Sequence, residues 1–376
     1  MKKDWEIKKL GELTLDKMSY GTSSPSCEYD GETRYIRITD INDKGELNED
    51  FVSPISYEEK HVLQNGDIVF ARTGATVGKA YCYHSSDEKY VYAGYLIRLR
   101  PNRKIVLPDY IFYYTKSKNY LDFISASQVA AAQPNVNAEK YSNLEIPLPP
   151  LEEQKRIVKI LDEKFAQLET IKTNAQTNLQ NAKDLFQSQL TKAFSNTSWE
   201  KKRLYELCSR IFAGGDKPQI VSKEISETCQ IPIYANGITD DGLYGYTNEA
   251  TVFDKCLTIS ARGTIGFTCI RNKPFVPIVR LLVLIPKDEI NISYLKYGCD
   301  TLTITNTGSS IPQLTVPMIK DYKIPLPPLS EQKRIVKELD TLSEKVRQLQ
   351  EIYTKQISDC DELKQSLLQK AFEGEL

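Results

Sequence analysis

Ile146 to Asp162 reads IPLPPLEEQKRIVKILD, and Ile324 to Asp340 reads IPLPPLSEQKRIVKELD, a match at 15 of 17 positions with an offset of 178 residues. The offset holds without a gap to Lys192-Ala193-Phe194 and Lys370-Ala371-Phe372. The front of each half carries a second echo, DWEIKKLGEL (Asp4 to Leu13) beside SWEKKRLYEL (Ser198 to Leu207), and it places the two tryptophans, Trp5 and Trp199, in equivalent positions. A third pairs Ala71-Arg72-Thr73-Gly74 through Gly78 with Ala261-Arg262-Gly263-Thr264-Ile265-Gly266. The chain is a two-fold tandem repeat, which restricts it to two similar halves.

Each half divides into a head and a helix, giving four segments: 1–146, 147–194, 195–323 and 324–376. The heads carry short apolar runs such as Asp67-Ile68-Val69-Phe70 and Leu281-Leu282-Val283-Leu284-Ile285, broken by Gly, Asn, Asp and Pro. Such runs read as strands of a β-rich mixed domain. Segments 151–194 and 329–372 contain neither Gly nor Pro, follow a Pro-Pro pair and open on acids, Glu152-Glu153 and Glu331, as helix N-termini do.

The second helix shows a heptad seam, Ile335, Leu339, Leu342, Val346, Leu349, Tyr353, Gln356, Cys360, Leu363 and Leu367. The equivalent register in the first is Ile157, Leu161, Lys164, Leu168, Ile171, Ala175, Asn178, Ala182 and Leu185, flanked by Phe165, Leu179 and Phe186. Asn178 and Gln356 fall mid-seam, where a polar side chain can fix register. A helix of 44 residues is a rod of roughly 66 Å, longer than a domain core requires. The fold expected is α+β: two β-rich mixed heads joined by two long antiparallel coiled-coil helices, with the C-terminus returning to the first head.

Composition removes several function classes. No apolar run reaches the roughly 18 residues of a membrane span, and the N-terminus lacks the apolar stretch of a signal peptide, so a cytoplasmic location is expected. The eight cysteines are scattered and form no CxxC pair, which reads as reduced thiols. Of the two histidines only His84 has a cysteine near it, Cys82, so no metal site and no cofactor are expected. Gly74-Ala75-Thr76-Val77-Gly78-Lys79-Ala80 is one residue short of a phosphate loop and lacks the hydroxyl residue after its lysine. Asp240-Asp241 and Glu58-Glu59 read as solvated loops.

The LPPLxEQKRI helix starts, the helices ending in Ala-Phe, and the D-I-V-F-A-R-T-G and I-S-A-R-G-T-I-G segments resemble the specificity subunit of type I restriction–modification enzymes. The resemblance covers the whole chain in the family's order of domain, helix, domain, helix. It implies that the heads are target recognition domains, each reading one half of a bipartite DNA sequence. It implies further that the helices set the half-site separation and dock two methyltransferase subunits. Restriction subunits would join through the complex, and the chain would have no catalytic activity of its own. The residues are compatible with that: both Pro-Pro pairs are flanked by Leu and open helices, and no DPPY- or NPPY-like methyltransferase motif is present.

Charge qualifies the DNA reading. The first head holds 19 basic and 21 acidic residues and the second 15 and 13, so neither holds DNA by bulk charge. Basic groups gathered on one face, or phosphate contacts supplied by partners, would be needed. Side chains suited to base edges lie in Gly/Ser/Thr-rich loops: Arg72, Thr73, Thr76, Lys79, Gln128, Gln133 and Asn135 in the first head, and Lys217, Asn236, Arg262, Thr264, Ser309, Ser310 and Gln313 in the second. Tyr20, Tyr35, Tyr234 and Tyr244 could stack in a groove. Lys155, Arg156, Lys333 and Arg334 at the helix starts are the expected partner contacts. The alternative is a two-headed protein-binding scaffold without a DNA role; an enzyme with an unrecognised centre is the other rival.

Overall fold

The computed structural model describes residues 5–85, 87–129, 135–302 and 313–376. The two Pro-Pro pairs are each followed by one unbroken helix, Leu151–Ala193 and Leu329–Glu373. Proline fixes the turn before the helix, and a run free of Gly and Pro lets the helix continue. The chain forms two compact units, residues 1–175 with 355–376 and residues 176–354, so each long helix contributes one stretch to each unit.

Unit 1 is built on a four-stranded antiparallel sheet in the order Ser19–Tyr20, Leu96–Leu99, Ile68–Ala71, Ala80–Cys82. Unit 2 repeats that order with Cys208–Ala213, Leu282–Pro286, Cys256–Ile259 and Thr268–Arg271. Strand Glu6–Lys9 pairs antiparallel with Glu145–Leu148 just before the first long helix, and Lys201–Arg203 pairs with Lys323–Pro325 before the second. The front echo and the IPLPP echo are therefore partners in one ladder, which is why both survive in each half.

The core of unit 1 joins Trp5, Phe70, Tyr110, Tyr120 and Tyr141 of the head to Ile157 and Leu161 of the first helix and Leu368, Ala371 and Phe372 of the second. Phe372 packs edge-on against Tyr110 and Tyr114, so the last turn of the second helix belongs to the first head, as the repeat required. In the same unit Arg156 reaches the carbonyl of Leu376, and Lys172 pairs with Asp361 at 2.6 Å, so the helix stretches run antiparallel. In unit 2, Leu190 and Phe194 share a core with Ile335, Val336 and Leu339, again antiparallel.

The seam differs from the one expected. Leu161, Leu168, Ala175 and Ala182 are buried, but the second row lies four residues after each, at Phe165, Lys172, Leu179 and Phe186, not three. Asn178 and Gln356 are exposed and pin nothing. The heads decide this: the ring of Tyr113 meets Phe165 and that of Tyr297 meets Phe186, drawing that row inward.

Identity at the helix starts is partly structural. The fully buried Gln154 accepts from the backbone N–H of Leu107 at 2.9 Å and donates to the carbonyls of Ile105 and Pro149. Gln332 does the same with Asn291, Glu289 and Pro327. Asp162 accepts from the Tyr113 hydroxyl, and Asp340 from that of Tyr297. One amide thus ties the head, the Pro-Pro turn and the helix together in each unit.

Candidate nucleic-acid interface

In unit 1 the strand Ile68–Ala71 ends in a tight return, with Ala71 donating to the Lys79 carbonyl and Gly78 to that of Ala71. Gly74 and Gly78 have φ of +73° and +87°, and a Cβ on Gly78 would meet Ile124 at 2.9 Å, so glycine is required there. In unit 2 Ser260 donates to Phe267, Gly266 donates to Ser260, and Gly263 and Gly266 are the left-handed residues.

These bonds correct the sequence register. Ala71 matches Ser260, not Ala261, so Arg72 matches Ala261 and Arg262 matches Thr73. A second pair of bonds agrees: Val136 donates to the carbonyl of Arg72, and Leu314 to that of Ala261. The two Ala-Arg dipeptides align by letter because the second return is one residue shorter. Hydrogen-bond register, which the letters do not carry, offsets them.

Each return abuts a segment that the sequence left distant. Thr73 bridges Asn135 in unit 1, and Arg262 donates to the Oε1 of Gln313 at 2.9 Å in unit 2. Asn135 and Gln313 are equivalent under the 178 offset, and each lies two residues before a helix N-cap, Asn137 and Thr315. Four candidates per pair of heads therefore meet: Thr73 with Asn135, and Arg262 with Gln313.

Arg72 lies between two exposed rings, its guanidinium 4.9 Å from the centroid of Tyr20 and 5.7 Å from that of Tyr95. Its Nε and the Oδ1 of Asn135 are buried without a hydrogen-bond partner, as is the Oγ1 of Thr264. Buried polar atoms left unpaired are costly; Arg34 and Arg98, elsewhere in unit 1, each carry an unpaired Nε as well.

The remaining candidates separate. Lys79 pairs with Asp43 at 2.8 Å, and Thr76 bonds the carbonyl of Thr73. Gln128 is half-buried on the helix Lys118–Val129, and Lys217 is exposed. Asn236 is a brace: its Oδ1 accepts from Ala261 N and its Nδ2 donates to the Val279 carbonyl at 2.6 Å. Gln133, Ser309 and Ser310 lie outside the described residues. Tyr35 is buried and bonds the carbonyls of Thr22 and Ser24, and the ring of Tyr234 lies under Arg271 at 3.5 Å; neither is free to stack on a base. Tyr244 is exposed, with Lys223 over its ring.

Sequence reasoning missed the turn beside Asn236. Val279 and Arg280 both have positive φ, 53° and 64°, and for a β-branched residue this is strained. Nothing in the letters signals it. The turn leaves Arg280 exposed, and the Asn236 amide ties its neighbour Val279 to Ala261, the residue before Arg262. Tyr95 was missed as well, because its role depends on Arg72 folding over it.

Among the described residues one group has metal-ligand character: Cys82, His84 and Asp109, whose donor atoms lie within 4.8 Å of one another. The Asp109 carboxylate, 3.0 Å from His84, raises the imidazole pKa, while burial pushes the Cys82 thiol well up and keeps it protonated. The eight cysteines are free.

The comparisons with known proteins agree with this layout. The chain is 30% identical over 214 residues to a type I specificity subunit of Mycoplasma pneumoniae, covering 56% of this chain and 58% of that one. It is 27% identical over 409 residues to the type I restriction enzyme MjaX specificity subunit of Methanocaldococcus jannaschii, covering 99% and 94%. A solved structure from a type I restriction–modification system superposes with a TM-score of 0.84 at 23% identity over 99% of this chain and 98% of that one, which shows the shared fold. The family described as the type I restriction modification DNA specificity domain matches twice, over residues 2–179 and 196–356, and the chain belongs to that family.

Proposed function

We propose that this DNA specificity subunit reads an asymmetric, bipartite duplex sequence, one half-site per head, and docks two methyltransferase subunits through its helices. Restriction subunits would join through that complex. The chain itself has no catalytic role in this reading and acts in the cytoplasm; among the described residues no helix is long and apolar enough to cross a membrane.

The observation that carries the proposal is one backbone frame with two sets of side chains. Both returns meet the segment before a short helix, but the frame holds Arg72, Thr73 and Asn135 in the first head against Ala261, Arg262 and Gln313 in the second. Arg is suited to guanine and Asn or Gln to adenine in the major groove, so unlike sets favour unlike half-sites. The flanking tyrosines Tyr20 and Tyr95 hold Arg72 by cation–π contact and leave its Nε open.

Helix-start identity that the Gln clamp does not explain points to partners. Lys155, Arg156, Lys333 and Arg334 are exposed; Lys155 pairs with Glu152, Arg156 with Glu153 and Arg334 with both Glu331 and Glu338, all along their own helix at 2.5–2.7 Å, and Arg156 also reaches the C-terminal turn. Such exposed pairs, open to solvent screening, contribute little to stability. Reversing these four charges therefore costs little fold stability.

The test measures assembly by size and DNA preference by competition on the same preparations. Arg262→Ala is expected to lose about 1–3 kcal/mol of discrimination at the second half-site while assembly stays intact. Arg72→Ala should do the same at the first. Charge reversal at the four helix-start positions should weaken assembly before it alters sequence preference. Loss of assembly in Arg262→Ala, or normal assembly with altered target bases in the helix-start variant, would contradict this division.

A further inference from the structure

Unit 1 contains a cavity of 560 Å³ between the head and its two helix stretches. That volume falls in the range of small-molecule sites. Five lysines line it, Lys44, Lys79, Lys116, Lys172 and Lys364, against three acids, Asp43, Glu169 and Asp361. Each acid is already engaged: Lys44 pairs with Glu169 at 2.5 Å, Lys79 with Asp43 at 2.8 Å and Lys172 with Asp361 at 2.6 Å.

The surplus of two positive charges therefore resides on Lys116 and Lys364. Among the described residues neither pairs with a carboxylate. The Lys116 ammonium sits 4.0 Å from the ring centroid of Phe112, and that of Lys364 sits 4.7 Å from Phe165. Burial first, and then the Lys364 charge, pushes the Lys116 amine down to about 8. The other groups that bear on it are Glu46, Asp162 and Cys82, and all three favour its charged form. Asp162 is committed to the Tyr113 hydroxyl. Two neighbouring ammonium groups without a counter-ion are unfavourable unless something negative occupies the space.

We propose that this cavity binds a small organic phosphate carrying two negative charges. Lysine ammonium groups serve phosphate as point charges, and two of them match a dianion. Val77, Leu121, Ile124, Leu168 and Leu368 give the cavity an apolar wall for the body of the ligand. The turn Gly74–Thr76 to Lys79, too short for a nucleotide-binding loop, here forms part of the wall through Ala75, Val77, Gly78 and Lys79.

The probe is phenyl phosphate, titrated calorimetrically into the full chain. The expected result is saturable one-to-one binding, weakened at least tenfold in Lys116→Met and in Lys364→Met and unchanged in Lys255→Met, which lies in unit 2. Methionine keeps the apolar stem over each ring. Because the bound dianion requires the ammonium form, affinity should fall as pH rises through 8. As a check independent of the variants, NMR of the dimethylated lysines should show the low-pKa amine moving up on addition of phenyl phosphate. The proposal is overturned by absence of saturable binding, by binding in either Met variant as tight as in the unaltered chain, by an unmoved amine, or by displacement of phenyl phosphate by target duplex, which would make the cavity a seat for a DNA phosphate.

Discussion

Four residues inserted into each long helix where the two units divide, after Ala175 and after Thr354, are expected to lengthen the preferred gap between half-sites by one or two base pairs. Both half-site sequences should stay the same. The insertion adds about 6 Å of helix, and a base pair rises about 3.4 Å. Unit 1 ends its first stretch at residue 175 and resumes at 355, so each unit keeps its own sheet, Gln clamp and helix contacts. On the original target the variant should fall toward non-specific affinity, a loss on the order of 10³-fold or more. Selection of preferred sites from a library with randomised gap length reads the effect directly. Half-sites that change while the gap stays fixed would sink the idea that the helices set the separation.

The second large effect concerns the buried amides. Gln154→Leu leaves the Leu107 N–H and the carbonyls of Ile105 and Pro149 without their partner. Each buried group so exposed costs about 1–3 kcal/mol, and some will find other partners, so unit 1 should lose about 2–4 kcal/mol. Gln332→Leu should do the same to unit 2. The two tryptophans separate the cases, since Trp5 is buried in unit 1 and Trp199 packs on the core of unit 2. Denaturant unfolding of single-tryptophan variants should show a shift in the matching unit alone. A shift below about 1 kcal/mol would mean that the Gln identity in the two helix starts answers to something outside the clamp.

The helices were legible because their signals are local. Pro149-Pro150 and Pro327-Pro328 mark the starts, and the absence of Gly and Pro carries each helix on to Ala193 and Glu373. The seam was half legible. The row of Leu161, Leu168, Ala175 and Ala182 follows from periodicity, but residues three and four positions on both include apolar side chains, and rings from the heads, Tyr113 and Tyr297, make the choice. The interface was legible residue by residue and not as an arrangement. Arg262 and Gln313 are 51 positions apart, joined by strand order and one side-chain bond. The offset of Arg72 against Arg262 rests on backbone bonds that no dipeptide match can reveal. Gln154 and Gln332 passed as polar helix residues, because an amide clamp shows in the letters only as a glutamine.

The most direct test of two unlike reading heads is to express the chain with the methyltransferase subunits proposed to dock on its helices and map every methylated base in the host genome. The expected motif has two different half-sites separated by a fixed run of unspecified bases, with Arg262→Ala relaxing one half-site and leaving the other intact. A palindromic motif, or a continuous one with no gap, would contradict the two-headed reading.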